Sequence, residues 1–275
     1  MEMTDRINTY YPSMTKSEQK VAQCVLEHPD NLIYLSVTEL ADFAGIGETT
    51  VMRFCRKIGF KGYQDFKLML AQGLPKQQAL SGRDGGDADY ATLLYESMVN
   101  ILQSSLGMLD REQLEESINL IDAARHVQFF GVGSSAITAL NAKNRFLRIG
   151  RRVEAIADSH IQSMMAVTMG EGDAAFGISV SGSTLDTNDM LMKAKQNGAK
   201  VIAMTNYAKS PIASIADIVL LTAGKESPLE GGSMGAKISQ LFIIDLICKG
   251  LEQRHADETK SMKELTARAV IDRIY

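Results

Sequence analysis

Residues 37–58 read VTELADFAGIGETTVMRFCRKI, two short helical patterns separated by three residues. In the first, Val37, Leu40, Ala41 and Ala44 recur at i, i+3, i+4 and i+7, which makes one apolar face, and Ser36 stands ahead of them as an N-cap. In the second, Val51, Phe54, Cys55 and Ile58 repeat that spacing, so Thr49, Thr50, Met52, Arg53, Arg56 and Lys57 point away from the first helix. Gly45, Ile46 and Gly47 join the two, with glycine free to turn the chain tightly and Ile46 buried between the helices. The pattern predicts a helix-turn-helix that presents the outer face of its second helix to a partner.

That face suits duplex DNA. Thr49 and Thr50 offer hydroxyls to phosphates or base edges, and Arg53 can make a bidentate contact to guanine. Arg56, Lys57, Lys61 and Lys67 add positive charge, and Glu48 and Asp65 subtract from it, leaving a modest local excess. The whole chain has a formal net charge of -4, so attraction to nucleic acid must come from this patch rather than from a global field. Upstream, SEQKVAQCVLEHP (17–29) supplies a supporting helix with Val21, Cys24, Val25 and His28 on one stripe, His28 reading as a helix-end residue and not a metal ligand.

At 275 residues the chain is long enough for two modest domains, and 45% hydrophobic with 23% charged residues is a composition that folds. The reading is a helical DNA-binding domain over 1–72, a linker over 73–89 rich in Gly and Ser, and a second domain over 90–275. In the second domain, buried runs start at Val127 (VQFFGV), Val153 (VEAI), Ala174 (AAFGISV), Val201 (VIAMT) and Asp217 (DIVLL), with polar helical stretches between them. This alternation predicts a three-layer α/β domain around a parallel sheet of flavodoxin-like type. Cys24, Cys55 and Cys248 are odd in number and in no CxxC spacing, which argues against disulfides and structural zinc. With no apolar run of the roughly 20 residues needed to span a bilayer and no signal-like N-terminal core, a reduced, cytoplasmic protein that keeps off membranes is expected.

Two loops carry the chemistry. GVGSSA (131–136) ends the first strand and opens a helix, so Gly133, Ser134 and Ser135 offer backbone amides, hydroxyls and a positive helix end to an anion. Ala136 stands where GxGxxG needs its third glycine, and no GK[ST] follows, so no nucleotide cofactor is expected. ISVSGSTLDT (178–187) places Ser179, Ser181, Ser183 and Thr184 around Gly182 before another helix. Those hydroxyls can surround the oxygens of a phosphate ester without fixed positive charge; the plainer reading is a pair of well-capped helices.

With these motifs in place, the chain resembles the RpiR-type transcriptional regulators over nearly its whole length. The resemblance rests on MTKSEQKVAQCVLEHPD and SVTELADFAGIGETTVMRFCRKIGFKGYQDFK in the first half, and on FFGVGSSA, ISVSGSTLDT and AKQNGAKVIAMTNYAKSPIASIADIVL in the second. It implies a sugar isomerase (SIS) domain in which Ser134 and Ser135 belong to one phosphosugar loop and Ser179, Ser181 and Thr184 to the other. One departure is Gly47, where the family usually has serine; glycine is a tolerable N-cap. Another concerns catalysis: Glu230, His160 and His255 form no acid/base motif, so a sensor is expected rather than an enzyme, with Glu230 at most touching sugar hydroxyls. The favoured function is operator binding controlled by a sugar phosphate. The rivals are a sugar-phosphate isomerase or lyase with an accessory helical module, and a protein-binding scaffold that would show no salt-dependent affinity for DNA. A homodimer or homotetramer is expected, with ISQLFIIDLICKGL (238–251) buried and ADETKSMKELTARAVIDRI (256–274) on the surface.

Overall fold

The computed structural model describes residues 3–74, 89–224, 226–229 and 231–271. The chain divides into two compact units, one of residues 1–99 with 225–233 and one of residues 100–224 with 234–275. The first is helical: α1 (Met3–Tyr10), a 3-10 turn (Tyr11–Ser13), α2 (Lys16–Glu27), α3 (Pro29–Leu32), α4 (Val37–Phe43), α5 (Glu48–Lys57) and α6 (Tyr63–Gly73), followed by the start of α7 (Tyr90–Met108). Of the expected linker, Gly73 closes α6 and residues 75–88 lie outside the described residues.

Capping chemistry sets the boundaries of these helices. Thr15 and Ser36 each accept from the amide three residues on, while Glu18 and Glu39 reach back to the N-cap amides, so α2 and α4 both open on a full capping box. The helix pair that the apolar spacing predicts is present, with α4 and α5 packed on each other. Val51, Phe54, Cys55 and Ile58 are all 0% exposed, so this stripe alone fixes which face of α5 is left outside. Phe66 of α6 meets Phe54 and Phe60 edge-on at 5.9 and 5.8 Å, closing the core from below. In the turn, Ile46 N–H returns to Ala41 O at 2.9 Å and Gly45 N–H to Asp42 O at 3.0 Å, ending α4 in one step. Ile46 itself is half-buried against the helical core rather than sealed between the helices.

The second unit runs α8 (Arg111–Ala123), β1 (His126–Phe130), α9 (Ser134–Arg148), β2 (Glu154–Ala155), α10 (Ser159–Thr168), β3 (Asp173–Ile178), α11 (Leu185–Gln196), β4 (Lys200–Thr205), α12 (Pro211–Ile215), β5 (Ile218–Leu221), α13 (Met234–Arg254) and α14 (Ala256–Ile271). All five expected strands form, each within two residues of its apolar run. They pair in parallel in the order β2-β1-β3-β4-β5, the flavodoxin-like arrangement. Alternation along β1 splits the core: Phe129 packs with Phe146, Phe176, Ile243 and Ile247 on the side of α8, α9 and α13, while Phe130 packs with Ala166, Leu191 and Ile212 on the side of α10, α11 and α12. The sheet is therefore covered on both faces, as its near-continuous hydrophobicity requires. Ile243, Ile247, Cys248 and Leu251 of α13 are buried within this unit, which accounts for the apolar character of 238–251.

Because β1 leads outward to β2 and β3 leads the other way to β4, the chain reverses its winding direction between β1 and β3. Ligands of open α/β sheets bind at the carboxyl ends of the strands at such a switch point. The two loops singled out in the sequence, 131–135 and 179–184, are the ones that leave β1 and β3 there.

Candidate functional site: a recognition helix and a hydroxyl-lined crevice

On α5, Thr49, Arg53 and Arg56 are exposed, Lys61 just beyond the helix is exposed, and Thr50 is half-buried. Arg53 Nη2 lies 3.4 Å from Thr50 Oγ1, so the guanidinium rests along the helix with its remaining donors outward. Glu48, at the first position of α5, accepts from Thr38 Oγ1 at 2.5 Å, which ties the starts of the two helices together.

Three residues of this face differ from expectation. Met52 does not point away: it packs, half-buried, against the helical core, and a Cβ on Gly62 would stand 3.4 Å from its methyl. Lys67, counted among the positive charges of the DNA-facing patch, is only 5% exposed and donates to Leu35 O at 2.8 Å, alongside Tyr63 Oη, which donates to the same carbonyl at 3.0 Å. Burial holds its ammonium down to about pKa 8, with Glu39 opposing. Lys67 is thus a core cation that pins the entry to α4. Lys57 is committed as well, donating to Glu18 Oε2 at 2.7 Å and to Ser13 O at 2.9 Å. Burial of Glu18 works against its ionisation, but hydrogen bonds from Lys57 and Thr15 and the charge of Lys57 outweigh it and keep the carboxyl below its ordinary range. One carboxylate therefore serves both as the cap of α2 and as the anchor of α5. The accessible positive charge of the face reduces to Arg53, Arg56 and Lys61.

In the second unit the geometry centres on the two loops. Gly131 allows close approach: a Cβ there would stand 3.1 Å from Ser135 and 3.2 Å from Ile178 O, so only glycine lets the first loop lie flat against the end of β3. Ser135 is buried, whereas Ser134 is half-buried at the start of α9. In the second loop Ser179 turns inward, 2% exposed, and its hydroxyl meets Thr184 Oγ1 at 3.0 Å. Ser181 Oγ accepts from Ser183 N–H at 3.2 Å. Gly182 has φ +63 and is held by its N–H to Ser179 O, by Ile212 N–H and by Asn188 Nδ2. The loop is braced against β4 through Thr205 Oγ1 and Asn206 N–H, both donating to Val180 O. Neither Gly133, ahead of α9, nor Thr184, ahead of α11, caps its helix with a side chain. The positive ends of both helices are thus offered to an outside acceptor, with the hydroxyls of Ser134, Ser181, Ser183 and Thr184 around them. This arrangement can hold a dianion by dipoles and hydroxyls alone.

The two candidate histidines lie at opposite edges of the sheet and form no acid/base pair. His160 is an exposed residue in the first turn of α10. His255 follows α13 and bonds Asp122 at 2.8 Å; Asp122 ends α8 just before β1, at the opposite edge of the sheet from the loops. Glu230 lies outside the described residues. Burial pushes the thiols of Cys55 and Cys248 up to about 12, so neither supplies a thiolate. Among the described residues no cluster of His, Cys, Asp and Glu could hold a metal ion, and no helix is long and apolar enough to cross a membrane. Sequence reasoning missed one residue of the site: Gln162 of α10, fully buried, whose side chain bonds the backbone of Gly131.

Residues 1–77 match the helix-turn-helix domain of the rpiR family, and residues 120–249 match the SIS domain. An HTH-type transcriptional regulator of Haemophilus influenzae is 36% identical, covering 98% of this chain and 96% of its own. The HTH-type transcriptional regulator HexR of Escherichia coli is 32% identical over 99% of this chain and 97% of its own. Among solved structures, the NanR protein of Vibrio vulnificus, complexed with ManNAc-6P, superimposes with a TM-score of 0.90 at 29% identity and 98% coverage of both chains. Helix-turn-helix, SIS fold and full-length relatives together make this chain a member of the RpiR family, a transcriptional regulator of RpiR/HexR type with a SIS domain.

Proposed function

We propose that this regulator binds operator DNA through the outer face of α5 and that a phosphorylated sugar, seated between loops 131–135 and 179–184, sets its operator affinity. The observation that carries the reading is the pairing of two hydroxyl-bearing loops at one switch point, each opening a helix without a side-chain cap. The complex of NanR with ManNAc-6P supports the same class of ligand. In this reading residues 1–72 are the DNA module and residues 90–275 the effector domain, acting in the cytoplasm. Control requires that the sugar phosphate bind the DNA-competent and DNA-incompetent states with different affinity. A non-enzymatic role is favoured over the isomerase or lyase because His160 and His255 are separated by the sheet and the relatives are named as regulators.

The test is calorimetric titration of the full chain with N-acetylmannosamine 6-phosphate, glucose 6-phosphate, fructose 6-phosphate and ribose 5-phosphate, with operator binding measured in parallel. The double variant Ser181→Ala, Thr184→Ala is expected to bind the best of these at least about tenfold more weakly while remaining folded, since a hydrogen bond to a charged group contributes about 1.5–3 kcal/mol. Equal affinity would reduce the second loop to a capped turn, and turnover of any of the four would favour the enzyme.

Assembly belongs to the same proposal. One helix-turn-helix whose free cations reduce to three binds weakly, and two copies reading half-sites about 34–36 Å apart meet the requirement for tight specific binding. Exposed apolar side chains are available for pairing on α9 (Ile137, Leu140, Leu147) and on α14 (Leu265, Val270, Ile271). Sedimentation at micromolar concentration is expected to show a dimer or tetramer; a 30.1 kDa monomer with and without DNA would refute it.

A further inference from the structure

Gln162 is 0% exposed, and the other buried residue of α10, Ala166, is apolar, as is buried Met169 just past the helix end. Burying a side-chain amide there is unfavourable unless its groups are paired. Both of its bonds go to one residue: Oε1 accepts from Gly131 N–H at 3.1 Å, and Nε2 donates to Gly131 O at 2.9 Å. A single side chain thus supplies to the first residue after β1 the two bonds that a neighbouring strand would have given it. The same residue lies close against Ser135 and the end of β3, where an added Cβ would stand 3.1 Å from Ser135 and 3.2 Å from Ile178 O. The helix α9 starts three residues later.

We infer that Gln162 is a positioning residue that locks the first loop, so that Ser134 and the opening amides of α9 meet a phosphate in fixed geometry. The inference rests on the phosphosugar reading above. Preorganised donors bind an anion better than mobile ones because no ordering cost remains at the moment of binding. The alternative is that Gln162 only fastens α10 to the sheet, in which case its replacement changes stability and leaves the affinity of the folded protein alone.

Glutamate at this position separates the two. Ionised, it accepts from Gly131 N–H but faces Gly131 O without a proton; protonated, it regains both bonds. Burial raises a carboxyl's pKa, which brings the change into a workable range. Calorimetry with the four sugar phosphates named above, at about pH 5.5 and about pH 8.5, compares each variant with wild type at the same pH, which cancels titration of the ligand's own phosphate. For the probe that wild type binds, Gln162→Glu is expected to bind at least about tenfold more weakly at the higher pH and within about threefold at the lower, tenfold corresponding to about 1.4 kcal/mol. The volume-conserving Gln162→Met removes both bonds without adding charge, and is expected to be weakened about tenfold at both pH values with no recovery. If Gln162→Met folds and binds as wild type, or if Gln162→Glu shows no recovery in acid, the positioning role is overturned and the phosphosugar reading stands. If wild type binds none of the four probes, both fall together.

Discussion

Gly182→Ala is expected to abolish sugar-phosphate binding and to lower stability by about 2–5 kcal/mol, the sum of a left-handed backbone imposed on an L-residue and an overpacked contact. At φ +63 the position favours glycine for its backbone alone. The space is closed as well: a Cβ would stand 2.3 Å from Ser210 Oγ and 2.6 Å from Ser210 Cβ. Rotating the hydroxyl away does not help, because the Cβ remains and Ser210 Oγ is engaged with Tyr207 O at 2.8 Å. The loop must therefore move, and Gly182 is the residue on which its bonds converge. Its N–H closes the turn to Ser179, and its carbonyl receives Ile212 N–H and Asn188 Nδ2. A shift here displaces Ser181, Ser183 and Thr184 together, whereas the double variant Ser181→Ala, Thr184→Ala removes hydroxyls and keeps the turn. The measurement is calorimetry beside a thermal melt, and wild-type affinity in a destabilised Gly182→Ala would place the phosphate elsewhere.

What could be read from the sequence was whatever depends on local periodicity. Val51, Phe54, Cys55 and Ile58 announced the buried face of α5 because helix geometry alone puts them together, and the five strands followed from runs that only a sheet covered on both faces tolerates. The charged residues were harder, because a lysine's fate depends on an acceptor far along the chain. Lys57 meets Glu18 from 39 positions away and Lys67 meets Leu35 O from 32. For Lys67 a signal was nevertheless present: Tyr63, Phe66, Lys67 and Leu70 stand at i, i+3, i+4 and i+7, so the lysine lies on the apolar stripe of α6. Gln162 carried the same signal, a polar residue in register with Ala166 and Met169. A polar side chain on a buried stripe indicates a long-range partner, and in both places the side chain donates to a backbone carbonyl far along the chain.

Arg53→Ala is expected to cost operator binding about 1–3 kcal/mol, or roughly five- to 150-fold, by removal of a bidentate base contact, and to leave the protein folded. The side chain is exposed and contributes nothing to the core that Val51, Phe54, Cys55 and Ile58 build behind it. Its distinguishing mark is loss of discrimination between operator and scrambled duplex. Its neighbours should behave differently because their charges have different duties. Lys61 is exposed, and Lys61→Gln should weaken both duplexes alike and reduce the slope of log affinity against log salt by about 0.9, one phosphate contact's worth. Lys57 already spends its charge on Glu18 and Ser13 O, so Lys57→Met should leave that slope unchanged. It should instead destabilise the fold by on the order of 1–3 kcal/mol, because a buried carboxylate loses its partner. Mobility-shift titrations of the three variants at several salt concentrations, beside their melting temperatures, separate base reading, phosphate contact and anchoring. An Arg53→Ala protein that still distinguishes operator from scrambled duplex as wild type does would remove α5 from the role assigned to it.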